Sequence, residues 1–293
     1  MLYSVEHTTK YKYNEQVSLC HNIAALSPRS TGQQICKSSN MIISPLPDIL
    51  EEHTDFFGNK LFYFVVEQEH EELTVTVKSQ IEKIINADTE PAISNQSWES
   101  VRDILHTSTG EYIDEKQFTL PAAITAPTDE IKNYAALSFT TGKPLYEAVY
   151  HLINRIYTDF RFTPGFTTIS TPLSVVMKER KGVCQDFAHL AISCVQSLGL
   201  SARYVSGYLE THAPEGKEKL TGVDASHAWF AVFIPGMGWV DFDPTNNQLA
   251  KEQYITIGWG RDYFDVIPLK GVIMSSSSHE LMVSVDVKRI EGN

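Results

Sequence analysis

Residues 182–190 read GVCQDFAHL, and they place a cysteine where a loop turns into a predicted helix. The helical pattern runs on to Leu198, and Gly199 ends it. A helix begins with backbone N–H groups that have no partner inside the helix and with about half a unit of positive charge. This environment favours the thiolate of Cys184 and supplies donors for an oxyanion, while Gly182 permits a close approach. The stretch therefore predicts a helix that begins with a candidate nucleophile.

Two predicted strands further along the chain supply a histidine and an aspartate. Residues 226–234 read SHAWFAVFI, with His227 at the head of the strand, and residues 238–243 read GWVDFD, with Asp243 at its end. If the two strands are antiparallel neighbours, His227 and Asp243 lie near the same edge, although the residue count requires a bulge or a longer turn. A thiol nucleophile, an imidazole base and an acid that orients the base are what acyl transfer through a thioester needs.

Other residues near these motifs have competing interpretations. Asp241 lies on the same strand face as Asp243 and is an alternative orienting acid; we prefer Asp243 because Pro244 ends the strand there. Asp186 is predicted to accept hydrogen bonds from free N–H groups in the first turn of the helix. His189 lies about 140° around the helix from the cysteine, so we expect it to be a packing or surface residue.

Three residues are predicted to line the site, namely Gln185, Tyr208 and Trp229. The competing interpretation of Tyr208 is a core aromatic on a strand. Residues 211–226 are polar and connect the Tyr208 strand to the histidine. They are equally well interpreted as a solvated loop and as a lid beside the cleft.

The hydrophobic pattern changes along the chain. The first 85 or so residues alternate between apolar and polar with turn formers between runs, which predicts an antiparallel sheet or sandwich. Polar segments follow, and then helical spacing such as that of Ala148, Leu152 and Ile156. We therefore predict an α+β protein with an amino-terminal antiparallel β domain and linker over residues 1–125. A core domain over residues 126–293 follows, which we expect to include a closing strand near the carboxyl terminus.

Several blocks of the chain carry a family resemblance: residues 182–189 (GVCQDFAH), 202–208 (ARYVSGY), 226–229 (SHAW) and 243–246 (DPTN). These blocks are similar to the core of bacterial transglutaminase-like proteins, a group that includes proteins described as cysteine proteases. Segments within residues 7–13, 27–29 and 55–59 are similar to that family's amino-terminal β region, so the resemblance covers nearly the whole chain.

The resemblance implies a papain-like transglutaminase fold with Cys184, His227 and Asp243 as the catalytic triad. The sequence departs from the family at Ser201, where proline is common. No tryptophan lies between Trp98 and Cys184. Animal transglutaminases have one upstream of the nucleophile near the oxyanion, so the second oxyanion donor has no assigned residue.

Composition excludes several classes of function. The formal net charge is −12, from 36 acidic and 24 basic residues, and the sequence has no long basic cluster, so nucleic acid is not an expected partner. No stretch approaches the ~18–20 apolar residues that span a bilayer, and the amino terminus does not resemble a secretory signal. We therefore expect no membrane association and a cytoplasmic location.

The four cysteines form no CxxC pair, and a metal site built on Cys184 and His227 lacks further ligands at suitable spacing. We expect free thiols, no metal and no cofactor. The leading hypothesis is an enzyme that attacks amide or peptide bonds of a peptide or protein substrate through an acyl-thioester. Hydrolysis is preferred to transfer onto an amine, and a non-catalytic peptide-binding module is the alternative of another class. The sequence leaves the oligomeric state open.

Overall fold

The computed structural model describes residues 1–84, 94–211, 225–274 and 278–290. The first strands are β1 (Leu2–Val17), β2 (Cys20–Ala24), β3 (Gln34–Ser44), β4 (Ile49–Thr54), β5 (Lys60–Val66) and β6 (His70–Lys83). A helical region follows, with α1 (Trp98–Thr107), α2 (Ile113–Lys116), α3 (Asp129–Ala136), α4 (Leu145–Asp159), β7 (Arg161–Phe162), α5 (Leu173–Glu179), β8 (Lys181–Gly182) and α6 (Cys184–Gln196). The last strands are β9 (Ala202–Leu209), β10 (Ala225–Ile234), β11 (Gly238–Asp243), β12 (Gln248–Leu249), β13 (Tyr254–Gly260), β14 (Leu269–Ile273) and β15 (His279–Ile290).

Two four-stranded antiparallel sheets form an amino-terminal sandwich, with strand orders β15-β1-β6-β3 and β14-β2-β5-β4. Strands β1 and β6 alternate buried and exposed side chains along most of their length. The two sheets enclose an apolar core: Tyr13, Val17, Cys20, Ala24, Leu26, Ile43, Phe64, Val66, Leu73, Val75, Val77 and Leu269. The predicted α+β class with an amino-terminal antiparallel β region is confirmed.

The carboxyl-terminal strands lie in the sandwich, which differs from the predicted division at residue 125. We expected the last strand to close the core domain, but β15 pairs with β1 and β14 pairs with β2. The helices before residue 126 also belong elsewhere, because Val101 and Leu105 of α1 pack in the core of the second unit. An alternating pattern identifies a strand, but it does not identify the sheet or the partner strand with which that strand pairs.

The second unit is a five-stranded antiparallel sheet with strand order β12-β11-β10-β9-β13. Helices cover one face of this sheet, and α6 is the most deeply enclosed of them, with residues 186–196 all buried. The sheet also packs on the sandwich through an apolar cluster: Tyr3, Val5, Ile81, Tyr208, Ile255, Ile257, Val285 and Val287. The sheet therefore contacts both the helices and the sandwich, and α6 packs against strands β9 and β10.

Side-chain amides from the sandwich cover the outer edge of β13. Gln34 donates to the carbonyl of Thr256 at 2.7 Å and accepts from its N–H at 3.0 Å. Asn59 makes the same double contact with Trp259, at 2.7 and 3.0 Å. These contacts satisfy backbone groups that an edge strand would otherwise leave unpaired, and they fix the sandwich to the sheet.

Gly207 on β9 lies directly opposite His227 on β10 and is predicted to be intolerant of a side chain. A Cβ atom there would overlap the backbone oxygen of Ile255 and the indole ring of Trp229. We expect Gly207→Ala to lower the free energy of unfolding by about 1–3 kcal/mol, measured by urea denaturation. Gly32→Ala is the control, since nothing lies near its Cβ position. Equal losses in the two variants would contradict the prediction.

Candidate functional site

Cys184 is the first residue of α6, as the sequence predicts, and Asp186 secures the start of the helix. The Oδ2 atom of Asp186 accepts the N–H of Val183 at 2.8 Å and the hydroxyl of Thr167 at 2.6 Å. Asp186 is 3 % exposed. Because burial opposes its ionisation and these two hydrogen bonds only partly compensate, the pKa of Asp186 is raised. The predicted first-turn role of Asp186 is confirmed.

Gly182 brings the strand before α6 close to the first turn of the helix. It lies on β8, which pairs in parallel with the short β7. A Cβ atom at this position would lie 2.9 Å from Oδ2 of Asp186 and 3.1 Å from the ring of Phe187. Any larger side chain would therefore displace the carboxylate that caps the helix, and with it Cys184.

His227 and Asp243 meet on one face of the five-stranded sheet. Strands β10 and β11 pair from Phe230–Phe242 to Ile234–Gly238 with no irregularity, so no bulge is needed. In this register Asp243 is a diagonal neighbour of His227, within reach of an imidazole. The distance from Nε2 of His227 to Oδ2 of Asp243 is 2.7 Å.

Asp243 is fully buried and accepts several hydrogen bonds. Its Oδ2 atom accepts from the hydroxyl of Tyr254 at 2.6 Å and from Nδ2 of Asn246 at 2.7 Å, in addition to His227. Its Oδ1 atom accepts the backbone N–H groups of Thr245 and Asn246 at 2.8 and 3.2 Å. Burial opposes ionisation, but these donors hold the pKa of Asp243 below its usual value, so the carboxylate is charged.

The imidazole of His227 lies between Asp243 and Cys184. The ionised carboxylate can only accept, so Nε2 carries a proton and Nδ1 is the nitrogen left for the thiol. Burial alone would lower the pKa of His227, but hydrogen bonds and charge interactions with Asp243 and Cys184 raise it to about 10. The buried carboxylate of Asp243 therefore favours the charged imidazolium form of His227.

This raised pKa predicts a pH-dependent contribution to stability. The pKa of His227 rises from 6.5 to about 10, so its contribution is fully present below about pH 6.5 and is lost as the pH rises through 10. We expect wild type to exceed His227→Gln in free energy of unfolding by on the order of a few kcal/mol at pH 6, and the difference to vanish above pH 10. Urea denaturation across this range measures it. A difference that stays constant with pH would contradict the raised pKa.

The structure separates the remaining predicted site residues into two groups. Trp229 lies beside His227, with ring centroids 6.1 Å apart. Because Trp229 is fully buried, its ring packs against the imidazole from the protein interior. Gln185 follows Cys184 and is half-exposed; its amide approaches the carbonyl of Ile169 at 3.5 Å. Both therefore lie next to residues of the candidate triad.

Tyr208 does not line the site, which corrects the prediction. Its side chain is 1 % exposed, packs in the contact with the sandwich, and pairs with Nδ1 of His7 at 3.0 Å. Alternation along β9 defines two faces, but it does not tell which one the sandwich covers. The competing interpretation, a core aromatic, is the one observed.

Asp241 and His189 have partners of their own. Oδ1 of Asp241 accepts the indole N–H of Trp229 at 3.0 Å, so Asp241 supports the tryptophan and not the histidine. His189 is buried, its Nε2 accepts the N–H of Tyr263 at 3.1 Å, and burial lowers its pKa to about 3. It is a neutral packing residue.

Three residues of the network around Asp243 were given no role in the sequence analysis: Tyr254, Gln248 and Asn246. Gln248 donates its amide N–H to the Tyr254 hydroxyl at 2.7 Å. Tyr254 lies on β13, which pairs with β9, so its side chain crosses the sheet face to reach Asp243 on β11. No local pattern marks such a contact.

Four further observations concern metal sites, membrane-spanning helices, the cysteines and the predicted loop. Among them, no three His, Cys, Asp or Glu side chains are grouped as a metal site. No helix in the described ranges is both long and apolar enough to cross a bilayer. All four cysteines are free, with Cys20 and Cys194 buried. Most of the predicted loop or lid, residues 212–224, lies outside the described residues.

Two family models match the chain. Residues 3–82 match the bacterial transglutaminase-like N-terminal region, and residues 133–244 match the transglutaminase-like superfamily. The second match includes all three residues of the candidate triad.

Relatives and solved structures extend the similarity over the whole chain. The uncharacterized protein Rv2569c of Mycobacterium tuberculosis is 40% identical, over 99% of this chain and 94% of the relative. The uncharacterized protein ML0607 of Mycobacterium leprae is 32% identical, over 98% of both chains. The crystal structure of a protein from Cytophaga hutchinsonii, described as a "Putative Cysteine Protease", superposes with a TM-score of 0.75 at 20% identity, covering 100% of this chain and 92% of that one. The last similarity is one of fold.

Proposed function

The chain belongs to the transglutaminase-like superfamily, and from this premise we propose that it is a cysteine-dependent enzyme that cleaves amide or peptide bonds through an acyl-thioester. One observation carries the proposal: Cys184 at the start of α6 interacts with an imidazole whose other nitrogen is bound to the buried carboxylate of Asp243. This is the arrangement that activates a thiol for acyl transfer.

The proposed reaction has two halves. In the first, the Cys184 thiolate attacks the carbonyl carbon, and the backbone N–H of Cys184 would bind the oxyanion that forms. As the C–N bond breaks, the His227 imidazolium gives its proton to the leaving amine. In the second half, neutral His227 takes a proton from water, the resulting hydroxide attacks the thioester, and the acid leaves with the thiolate restored. Asp243 keeps the imidazole oriented throughout and does not itself take up the proton.

We prefer water to an amine as the second acceptor, because hydrolysis needs no binding site beyond that of the acyl group. The C. hutchinsonii protein of similar fold is described as a protease, which agrees with this preference. A peptide or protein is the proposed substrate. Four free thiols fit the reducing cytoplasm that the sequence analysis favours.

Labelling with a thiol-reactive acyl-amide probe tests the nucleophile. We expect wild type to be labelled and Cys184→Ala to lose the label. Cys36→Ala is the matched control, since Cys36 is also half-buried but lies on β3 of the sandwich. Equal labelling of wild type and Cys184→Ala would exclude the nucleophile and favour a non-catalytic binding module.

A second experiment separates hydrolysis from transfer. A glutamine-containing peptide is supplied with and without a labelled primary amine, and ammonia release and amine incorporation are both followed. We expect ammonia release to be unchanged by the amine and incorporation to be minor. Incorporation that exceeds hydrolysis would make the protein a transglutaminase instead.

A further inference from the structure

We propose that Tyr254 is a positioning residue that acts on the triad through Asp243, and that Gln248 sets the direction of its hydroxyl group. The proposal rests on the proposed function. Tyr254 is 1 % exposed, so its hydroxyl is enclosed with the carboxylate that orients His227. It would touch neither the substrate nor the reacting atoms.

The contacts of the Tyr254 hydroxyl define the direction of its proton. Its oxygen accepts an amide N–H from Gln248 at 2.7 Å and lies 2.6 Å from Oδ2 of Asp243. A hydroxyl has one proton to donate, and the ionised carboxylate can only accept, so the proton is directed to Asp243. Burial and the charge of Asp243 raise the pKa of Tyr254, so the hydroxyl keeps that proton.

The tyrosine ring is itself held in one place. It packs edge-on against Trp229 with centroids 5.2 Å apart and lies 6.0 Å from the ring of His227. Space for Trp229 is left by Gly207, which has no side chain. The hydroxyl therefore arrives at Oδ2 from a fixed direction, the same oxygen that Nε2 of His227 contacts.

We expect the Tyr254 hydroxyl to affect the reactivity of Cys184 most strongly at acidic pH. A hydrogen-bond donor to a carboxylate lowers its pKa, so losing the Tyr254 proton makes Asp243 easier to protonate. Once Asp243 is neutral, His227 loses its anionic partner, and the thiolate–imidazolium pair with Cys184 collapses. The pH below which Cys184 stops reacting as a thiolate should therefore rise when the hydroxyl is removed.

Tyr254→Phe tests this, because it keeps the ring and removes only the hydroxyl. The rate of Cys184 alkylation by iodoacetamide is followed by peptide mass spectrometry from pH 4 to 9, which requires no substrate. We expect the acid limb of the alkylation profile, the pH range in which the rate falls towards low pH, to move up by about one pH unit. We also expect kcat for peptide cleavage to fall about tenfold with KM unchanged. Tyr208→Phe is the matched control: it removes an equally buried hydroxyl, bonded to His7, and should leave the acid limb in place.

Gln248→Glu tests whether Gln248 sets the direction of the Tyr254 proton, and the change is made at a half-exposed side chain. A carboxylate at residue 248 would accept the Tyr254 proton and turn it away from Asp243, so we expect the acid limb to rise as in Tyr254→Phe. In the Tyr254→Phe background, Gln248→Glu should then have no further effect. A full additional shift in that background would mean that the new charge acts directly, which would contradict the role of Gln248.

The outcomes distinguish this proposal from the proposed function. An acid limb identical in wild type and folded Tyr254→Phe would overturn the role of Tyr254 while leaving the nucleophile intact. If wild-type Cys184 instead reacts only at the pH of an ordinary thiol, the ion pair is absent, and both proposals fail.

Discussion

His227→Ala should lower kcat/KM for peptide or amide cleavage by about 10²–10⁴-fold, the range typical of losing general acid–base catalysis. The structure gives the reason, since the imidazole joins the Cys184 thiol to the buried carboxylate of Asp243. Alanine removes both the proton acceptor and the cation that stabilises the thiolate. Steady-state kinetics with a fluorogenic peptide measures the loss.

A second measurement on His227→Ala separates catalysis from folding. Alkylation of Cys184 at pH 6 should become slow, whereas at pH 9 or above an unassisted thiol also ionises and the rates should approach each other. His189→Ala is the control, because that histidine is buried in packing contacts and accepts a backbone N–H from Tyr263. It should lose stability without altering the pH dependence of alkylation. The base would be misassigned if His227→Ala retained full turnover.

The sequence predicts the local parts of the site because each depends on short-range patterns. Strand β11 begins and ends at the predicted residues, and α6 begins at Cys184. The pairing of β10 with β11 follows from a short turn, so the meeting of His227 and Asp243 could be predicted as well. The expected bulge or longer turn was wrong, because a diagonal neighbour is within side-chain reach without either.

Long-range pairing accounts for what the sequence does not predict. The β15 strand returns across the whole chain to pair with β1, and nothing in its alternation identifies that partner. The same limit applies to Tyr254, whose partner Asp243 lies on a strand that is not its neighbour. The prediction that Tyr208 lines the site was wrong for a related reason. The alternating pattern defines the strand face on which Tyr208 lies, but the packing of the sandwich decides what covers that face.

The second prediction with a large expected effect distinguishes Asp243 from Asp241 as the acid that orients His227. Asp243→Asn should lower kcat/KM by on the order of 10²–10⁴-fold, because a neutral amide neither stabilises the imidazolium of His227 nor fixes its tautomer. Asparagine also presents N–H donors where Tyr254 and Asn246 already donate, so the network must rearrange. The pKa of His227 should fall towards its ordinary value, which the pH dependence of Cys184 alkylation would report.

Asp241→Asn is the matched variant, two residues away on the same strand face. Its carbonyl oxygen can still accept the indole N–H of Trp229, while the charge that faces the buried Arg203 and Lys83 is lost. We therefore expect kcat/KM within a few-fold of wild type and a free energy of unfolding lower by about 1–3 kcal/mol. The reverse result, with Asp241→Asn inactive and Asp243→Asn active, would assign the orienting acid to Asp241. The 2.7 Å contact of Asp243 with His227 argues against that outcome, because no comparable contact joins Asp241 to the imidazole among the described residues.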